Sequence, residues 1–277
     1  MSDGPRLLAV SDLHAGHEAN REVIRELRPA SGGDWLIVAG DVGEIFADIE
    51  WALRLLSERF AKVIWTPGDH ELRTPPSDPV RLRGEHRYRR LVELCRRLGV
   101  ATPEDPYPVW RGHGGPVTIA PLFVLYDYTF RPPGLATAEE ALAKAYDVGV
   151  VSADDDLLHP DPHPTREAWC DVRITETEQL LATRDATLPT ILVSHFPLVR
   201  DLTTILRPPE SALWCGTKRT AGWHRRFDAA AVVYGHLHIP RTTWYDGVRF
   251  EEVSLNHPNG QSAAGRPRQI LPIEARR

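Results

Sequence analysis

The chain is poor in cysteine and lacks any long apolar run, and each absence removes a class of protein. Its three cysteines, Cys95, Cys170 and Cys215, are an odd number without metal-type spacing. A disulfide framework is therefore not expected, and each thiol reads as a small buried hydrophobe. No apolar stretch approaches the length of a bilayer span, so no membrane is expected as a partner. The first residues, Met1 to Arg6, have no positive region followed by an apolar one, so the protein is expected to stay in the cytoplasm. A net charge of -5 argues against long nucleic acids. Internal repeats and clear linkers are also missing, and 277 residues at 42% hydrophobic and 26% charged fit one domain over 1–277.

What the chain does contain is five short polar blocks in order: Asp12-x-His14, Gly40-Asp41, Gly68-Asp69-His70-Glu71, Ser194-His195 and Gly235-His236-x-His238. Each follows a short apolar run: Leu7 to Val10, Trp35 to Ala39, Val63 to Trp65, Ile191 to Val193 and Ala231 to Tyr234. That places every block at a strand's carboxyl end, where ligands gather in open α/β sheets. Strand-end residues that merely cap loops would explain one block; five in order read as one site.

The first hundred residues alternate strand and helix, with helical patterns over Glu18 to Leu27, Ile45 to Phe60, and a longer one after Trp65 ending near Leu98 and closed by Gly99. This is the pattern of a parallel sheet flanked by helices. From 102 to 164 ten prolines punctuate the chain. There we expect strand over Val117 to Tyr126, a short helix over Ala138 to Tyr146, and proline-stiffened loops forming a cap-like insertion. A helix from Thr165 to about Arg184 and a hairpin turning at Asp246-Gly247 follow. The tail 259–277 is expected to be mobile. An antiparallel ending added to a parallel beginning predicts an α/β fold of two mixed sheets packed face to face.

Residues two apart on extended backbone point the same way, so Asp12 with His14, and His236 with His238, are expected to project in pairs toward one pocket. Asp41 is the natural bridge between two ions, and Asp69 and His195 complete a mixed oxygen and nitrogen shell. Such a shell suits Mn, Fe, Zn or Co better than Ca or Mg, with manganese favoured. Two ions about 3.5–4 Å apart would acidify a water and clamp a phosphoryl group. Phosphate-ester hydrolysis is the expected reaction, with His70 protonating the leaving alkoxide and Glu71 or another carboxylate supporting its charge.

The order of these blocks resembles the calcineurin-like metallophosphoesterases, from Asp12 to His238. The resemblance implies a four-layered α/β/β/α sandwich and two divalent metal ions: one held by Asp12, His14, Asp41 and His238, the other by Asp41, Asp69, His195 and His236. It gives His70 the catalytic, proton-donating or phosphate-binding role. The departure is Asp69, where the family usually has asparagine. Counting three carboxylates against two ions predicts tighter metal retention and a preference for monoanionic diesters. Leu213 to Thr217 and Tyr234 to Phe250 resemble a branch that includes phosphopantetheinyl hydrolases. That branch implies an acidic acyl carrier protein as partner and gives a docking purpose to Arg81, Arg83, Arg87, Arg89, Arg90, Arg96 and Arg97. A solvated helix face is the plainer reading of those arginines.

Two other readings stand beside a carrier-protein phosphodiesterase. One is an enzyme acting on a cyclic nucleotide or small phosphorylated metabolite; the other is a non-catalytic scaffold of the same fold. Outside the blocks, His17, His86, His113, His159, His163, His224 and His257 are expected in surface or loop roles, with His17 bordering the pocket. Trp223, Trp244, Tyr126 and Tyr128 are expected to pack in the core. Trp214 is the exception, as a wall of the substrate channel, with Lys218 and Arg219 beside it.

Overall fold

Strands buried on both faces must be apolar throughout, and the short runs before the polar blocks meet that demand. In the computed structural model, which describes residues 4–255 and 266–273, they form two sheets. In the first, β1 (Leu7–Val10), β2 (Trp35–Val38) and β3 (Lys62–Trp65) run parallel. The second runs in the order β4 (Val109–Trp110), β5 (Val117–Pro121), β6 (Thr190–Val193), β7 (Ala229–Tyr234), β9 (Val248–Glu252), β8 (Arg241–Tyr245). Its four middle strands β5, β6, β7 and β9 are parallel, and β4 and β8 are antiparallel at its edges. β10 (Arg268–Gln269) adds antiparallel to β1, so both sheets are mixed as expected.

Side chains alternate between the two faces of a strand, and the two cores follow that period. Leu7, Ala9, Ile37 and Ile64 of the first sheet meet Ile119, Ile191, Val193, Ala231 and Val233 of the second in a core between the sheets. Val10, Leu36, Val38 and Trp65, with Leu192, Val232 and Tyr234, lie in the core that includes the helix side chains. The sheets therefore stack face to face, with α1 (Glu18–Glu26), α2 (Phe46–Ser57), α3 (Asp69–Leu72), α4 (Gly84–Arg97), α5 (Ala138–Asp147), α6 (Asp154–Leu157), α7 (Arg166–Ala182) and α8 (Trp223–Arg226) outside them.

Four expectations need correction. The helical pattern after Trp65 divides into α3 and α4, because Pro75, Pro76 and Pro79 lack the N–H that a helix interior uses. Gly99 does close α4, in a left-handed conformation with φ +71°. The strand expected over 117–126 stops at Pro121: the neighbouring β6 ends at Val193, whose carbonyl takes the last ladder bond from Leu122 N–H. The stretch 102–164 is not one unit, since β4 and β5 belong to the second sheet and the part from α5 onward lies outside it. The mobility expected over 259–277 does not extend to 266–273, which β10 pins to β1; 259–265 and 274–277 lie outside the described residues. Thr165 caps α7 by accepting Ala168 N–H at 3.1 Å, and Asp246-Gly247 turns the β8–β9 hairpin with both φ angles positive.

Candidate metal centre

The ends of β1, β2, β3, β6 and β7 lie side by side in the two sheets, and the five blocks converge there. Among the described residues, one group of possible ion-holding atoms comprises Asp41, Asp69, His195 and His236, and a second comprises Asp12, His14 and His238; His14, Asp41 and His70 form a third. His195 Nε2 is 3.3 Å from both Asp41 Oδ2 and Asp69 Oδ1, and His236 Nδ1 is 3.1 Å from Asp69 Oδ1. In the second group His238 Nε2 is 3.4 Å and His14 Nε2 3.8 Å from Asp12 Oδ1.

The pairing expected from extended backbone is not what brings these residues together. Asp12, His14, Asp41, His236 and His238 all have positive φ, between 43° and 69°. Left-handed backbone at a non-glycine residue costs roughly 1 kcal/mol or more, and is kept where the surroundings impose it. The strained turns send His236 and His238 to different groups rather than side by side. Gly40, at φ +86°, lets the chains close up: a Cβ there would lie 2.6 Å from His195 Nδ1 and 2.8 Å from the Gly68 nitrogen.

Each inward atom is aimed by bonds on its far side. Asp12 Oδ2 accepts from Ser254 Oγ at 2.8 Å, His236 N–H at 3.1 Å and Ser11 Oγ, while Oδ1 has no hydrogen-bond partner. His195 Nδ1 lies 2.9 Å from the Ala39 carbonyl, which can only accept; Nδ1 therefore donates and Nε2 faces inward. Glu71 accepts from the N–H groups of Asp41 (3.0 Å), Val42 (2.7 Å) and Gly68 (2.9 Å) and so clamps two of the block loops. It does not support His70, because its carboxylate is spent on those donors. Glu44 does, with Oε1 2.7 Å from His70 Nδ1.

Three buried atoms, Asp12 Oδ1, His14 Nε2 and Asp69 Oδ1, point inward without a hydrogen-bond partner, a cost that bound cations would remove. The electrostatics agree. Burial and Asp69 both oppose charge on Asp41, yet His195 and His70 hold its carboxyl well below the ordinary range. Burial alone would lower His195, but Asp41 and Asp69 hold it well above the usual range. The carboxylates thus draw positive charge onto the inward face. Burial, then the His70 charge, lowers His14 to about 3, leaving a neutral imidazole suited to ligation. The residues fit two divalent ions. His70 stands at about 9: burial works against its charge, and Asp41 and the Glu44 hydrogen bond outweigh burial.

Several contributors were not among the residues expected at the site. Arg73, Glu44 and Asp154 surround His70 and Asp69, and Cys215 stands against His236 and raises its pKa after burial has lowered it. The count of three carboxylates omitted Arg73, whose Nη2 lies 2.8 Å from Asp69 Oδ2, so the extra charge of Asp69 does not stand alone. The arginine segment is also not an open basic patch. Arg87 is buried against Asp78, while Arg83, Arg89, Arg90 and Arg96 pair with Asp161, Glu85, Glu93 and Asp105. His224, expected at the surface, is buried and bonds Asp246 at 3.1 Å. His257 lies outside the described residues. His17 borders a cavity of about 100 Å³ that His14, Glu44 and His70 also line. A second cavity, of about 190 Å³, opens on Asp69, His236 and His238 and is walled by Val150, Val151 and Trp214. No helix among the described residues is long and apolar enough to cross a membrane.

Comparison with known proteins shows the family. A sequence model of the calcineurin-like phosphoesterase family matches residues 5–240. The chain is 55% identical over 254 residues to an acyl-carrier-protein phosphodiesterase, PptH, of Mycobacterium tuberculosis, covering 92% of this chain and 78% of that one. The crystal structure of the phosphopantetheinyl hydrolase PptH from the same organism superposes with a TM-score of 0.95 at 52% identity, covering 99% of this chain and 98% of the other. The fold, the convergent blocks and these likenesses together place the chain in the calcineurin-like phosphoesterase family of metal-dependent phosphoric ester hydrolases.

Proposed function

We propose that this enzyme cleaves the phosphodiester joining a phosphopantetheine arm to an acyl carrier protein. Asp12, His14, Asp41 and His238 would hold one divalent ion, and Asp41, Asp69, His195 and His236 the other, with manganese favoured by the mixed donor set. When bound, such ions supply polarisation of the phosphoryl group and a more acidic water. The likeness to PptH over most of the chain carries the substrate reading. The cavity of about 190 Å³ supports it: Val150, Val151 and Trp214 suit the arm's methyl groups, and Ser152 and Ser211 its amides.

The protein's own groups account for protonation of the leaving group. In the metal-free chain Asp41 and the Glu44 hydrogen bond raise His70 against burial, and its Nε2 lies 3.8 Å from Asp41 Oδ2 and Asp69 Oδ2, on the face where a phosphate would lie. Glu44 accepts from Nδ1 at 2.7 Å while Arg73 Nη1, itself a donor, lies 2.8 Å from Nε2, so giving the Nε2 proton to the departing alkoxide requires Nε2 to turn from the guanidinium to the substrate.

The test is a substrate panel with manganese: holo acyl carrier protein, an aryl phosphodiester, an aryl monoester and a cyclic nucleotide. Release of phosphopantetheine to leave the apo carrier is expected. Turnover of the cyclic nucleotide with no conversion of the carrier would overturn the substrate reading.

A further inference from the structure

Arg73 is a buried cation shared by three carboxylates. Its Nη2 lies 2.8 Å from Asp69 Oδ2, its Nε 2.6 Å from Asp154 Oδ1 and its Nη1 3.0 Å from Glu44 Oε1. The two oxygens of Asp69 are thereby made unequal. Oδ2 is held by the guanidinium, while Oδ1 has no hydrogen-bond partner and faces His195 Nε2 and His236 Nδ1. A planar fork can hold two acceptors in fixed relative positions, which a lysine ammonium does not do.

Asp154 fixes the other side of that fork. It is buried, 81 residues beyond Arg73, and its Oδ2 accepts from Tyr126 Oη at 2.9 Å. Arg166 holds its backbone carbonyl at 2.6 Å. Asp154 begins α6, next to Val150, Val151 and Ser152 on the cavity wall, so the wall and Asp69 share one anchored cation.

We propose that Arg73, held by Asp154, is a positioning residue for the ion bound at Asp41, Asp69, His195 and His236: it occupies Oδ2 of Asp69 and leaves Oδ1 as the single inward ligand atom. The inference rests on the metal assignment above. It predicts that one of the two ions is affected more than the other, since Arg73 bonds Asp69 directly while Asp12 is held by Ser254, Ser11 and the His236 N–H. Partners that orient a ligand typically account for 10–100-fold in metal affinity.

The experiment measures manganese per chain on purified full-length protein after dialysis against graded chelator, with the thermal midpoint of the metal-free form as control. Wild type should retain two ions. Arg73→Gln should lose one of them at about 10–100-fold lower chelator and hold the other more nearly as in wild type. Arg73→Lys should fall between, and Asp154→Ala should weaken the same ion while leaving Arg73 in place. Two ions held as tightly in Arg73→Lys and Asp154→Ala as in wild type would overturn the inference alone. Equal weakening of both ions, in step with a lower metal-free midpoint, would also overturn it and reduce Arg73 to a structural role. A wild-type chain that holds no divalent ion would overturn the metal assignment itself.

Discussion

The arginine segment offers a sharp test, because Arg87 turned out to be fully buried rather than solvated. Its side chain and that of Asp78 are both 0% exposed and pair at 2.9 Å. Arg87 also donates to the carbonyls of Glu71 and Glu44, each at 2.6 Å, and Asp78 accepts Phe46 N–H at 3.1 Å and Val80 N–H at 2.9 Å. The pair therefore joins α4 to the start of α2, to α3 and to the residue that supports His70. Arg87→Met removes the cation and leaves a buried carboxylate, which should cost about 3–5 kcal/mol of a total stability of roughly 5–15. Adding Asp78→Asn neutralises that carboxylate while keeping an acceptor, and should recover about 1–3 kcal/mol. The assay is urea unfolding in excess chelator, so that ion binding does not contribute. The exposed Arg90→Met, whose partner Glu93 is also exposed, serves as control and should change stability by no more than about 0.5 kcal/mol. The reasoning is refuted if Arg87→Met lies within about 1 kcal/mol of wild type, or if the double variant is no more stable than the single one.

Four further outcomes follow from the site. His70→Gln should lower kcat by roughly 10²–10⁴-fold on alkyl diesters and far less on an aryl diester, whose leaving group needs no proton; an equal loss on both would remove His70 as acid. His70 must be protonated to donate; Asp41 and Glu44 raise its pKa to about 9 in the metal-free chain, and divalent ions on Asp41 and Asp69 lower it from there, so activity should fall as pH rises through a limb below that value. Glu44→Gln keeps an acceptor but removes the negative charge that favours the charged form, and should move the alkaline limb of kcat toward acid by about one unit, a modest figure because Glu44 is 39% exposed. Chelation should abolish turnover and lower the thermal midpoint, with both restored by manganese, because ligands that bind only the folded state add about 2.7 kcal/mol at a hundred times Kd.

The blocks were legible because their information is local. An apolar run of three to five residues followed within four positions by Asp or His states both the strand and the polar group at its end, so Asp12, Asp41, Asp69, His195 and His236 could be named without coordinates. Thr165 before α7 and Asp246-Gly247 between β8 and β9 were legible for the same reason, since caps and turns are chemistry between near neighbours. The single helix expected after Trp65 failed where Pro75 and Pro76 outweighed an apolar period.

What lay beyond the sequence was everything that depends on distance across the fold. The left-handed backbone at His236 and His238, which separates two neighbouring histidines into different groups, comes from the packing of two sheet ends. Glu44 rather than Glu71 reaches His70, because Glu71 is held by the N–H groups of two other loops. Arg73 lies one helical turn from Asp69 and could have been suspected; Asp154, 81 residues further on, could not. The sequence by itself determined the kind of chemistry, because metal ligands must be particular side chains at strand ends. The tertiary structure decided which oxygen and which nitrogen face inward, because that is set by hydrogen bonds from residues that have no neighbour in the chain to announce them.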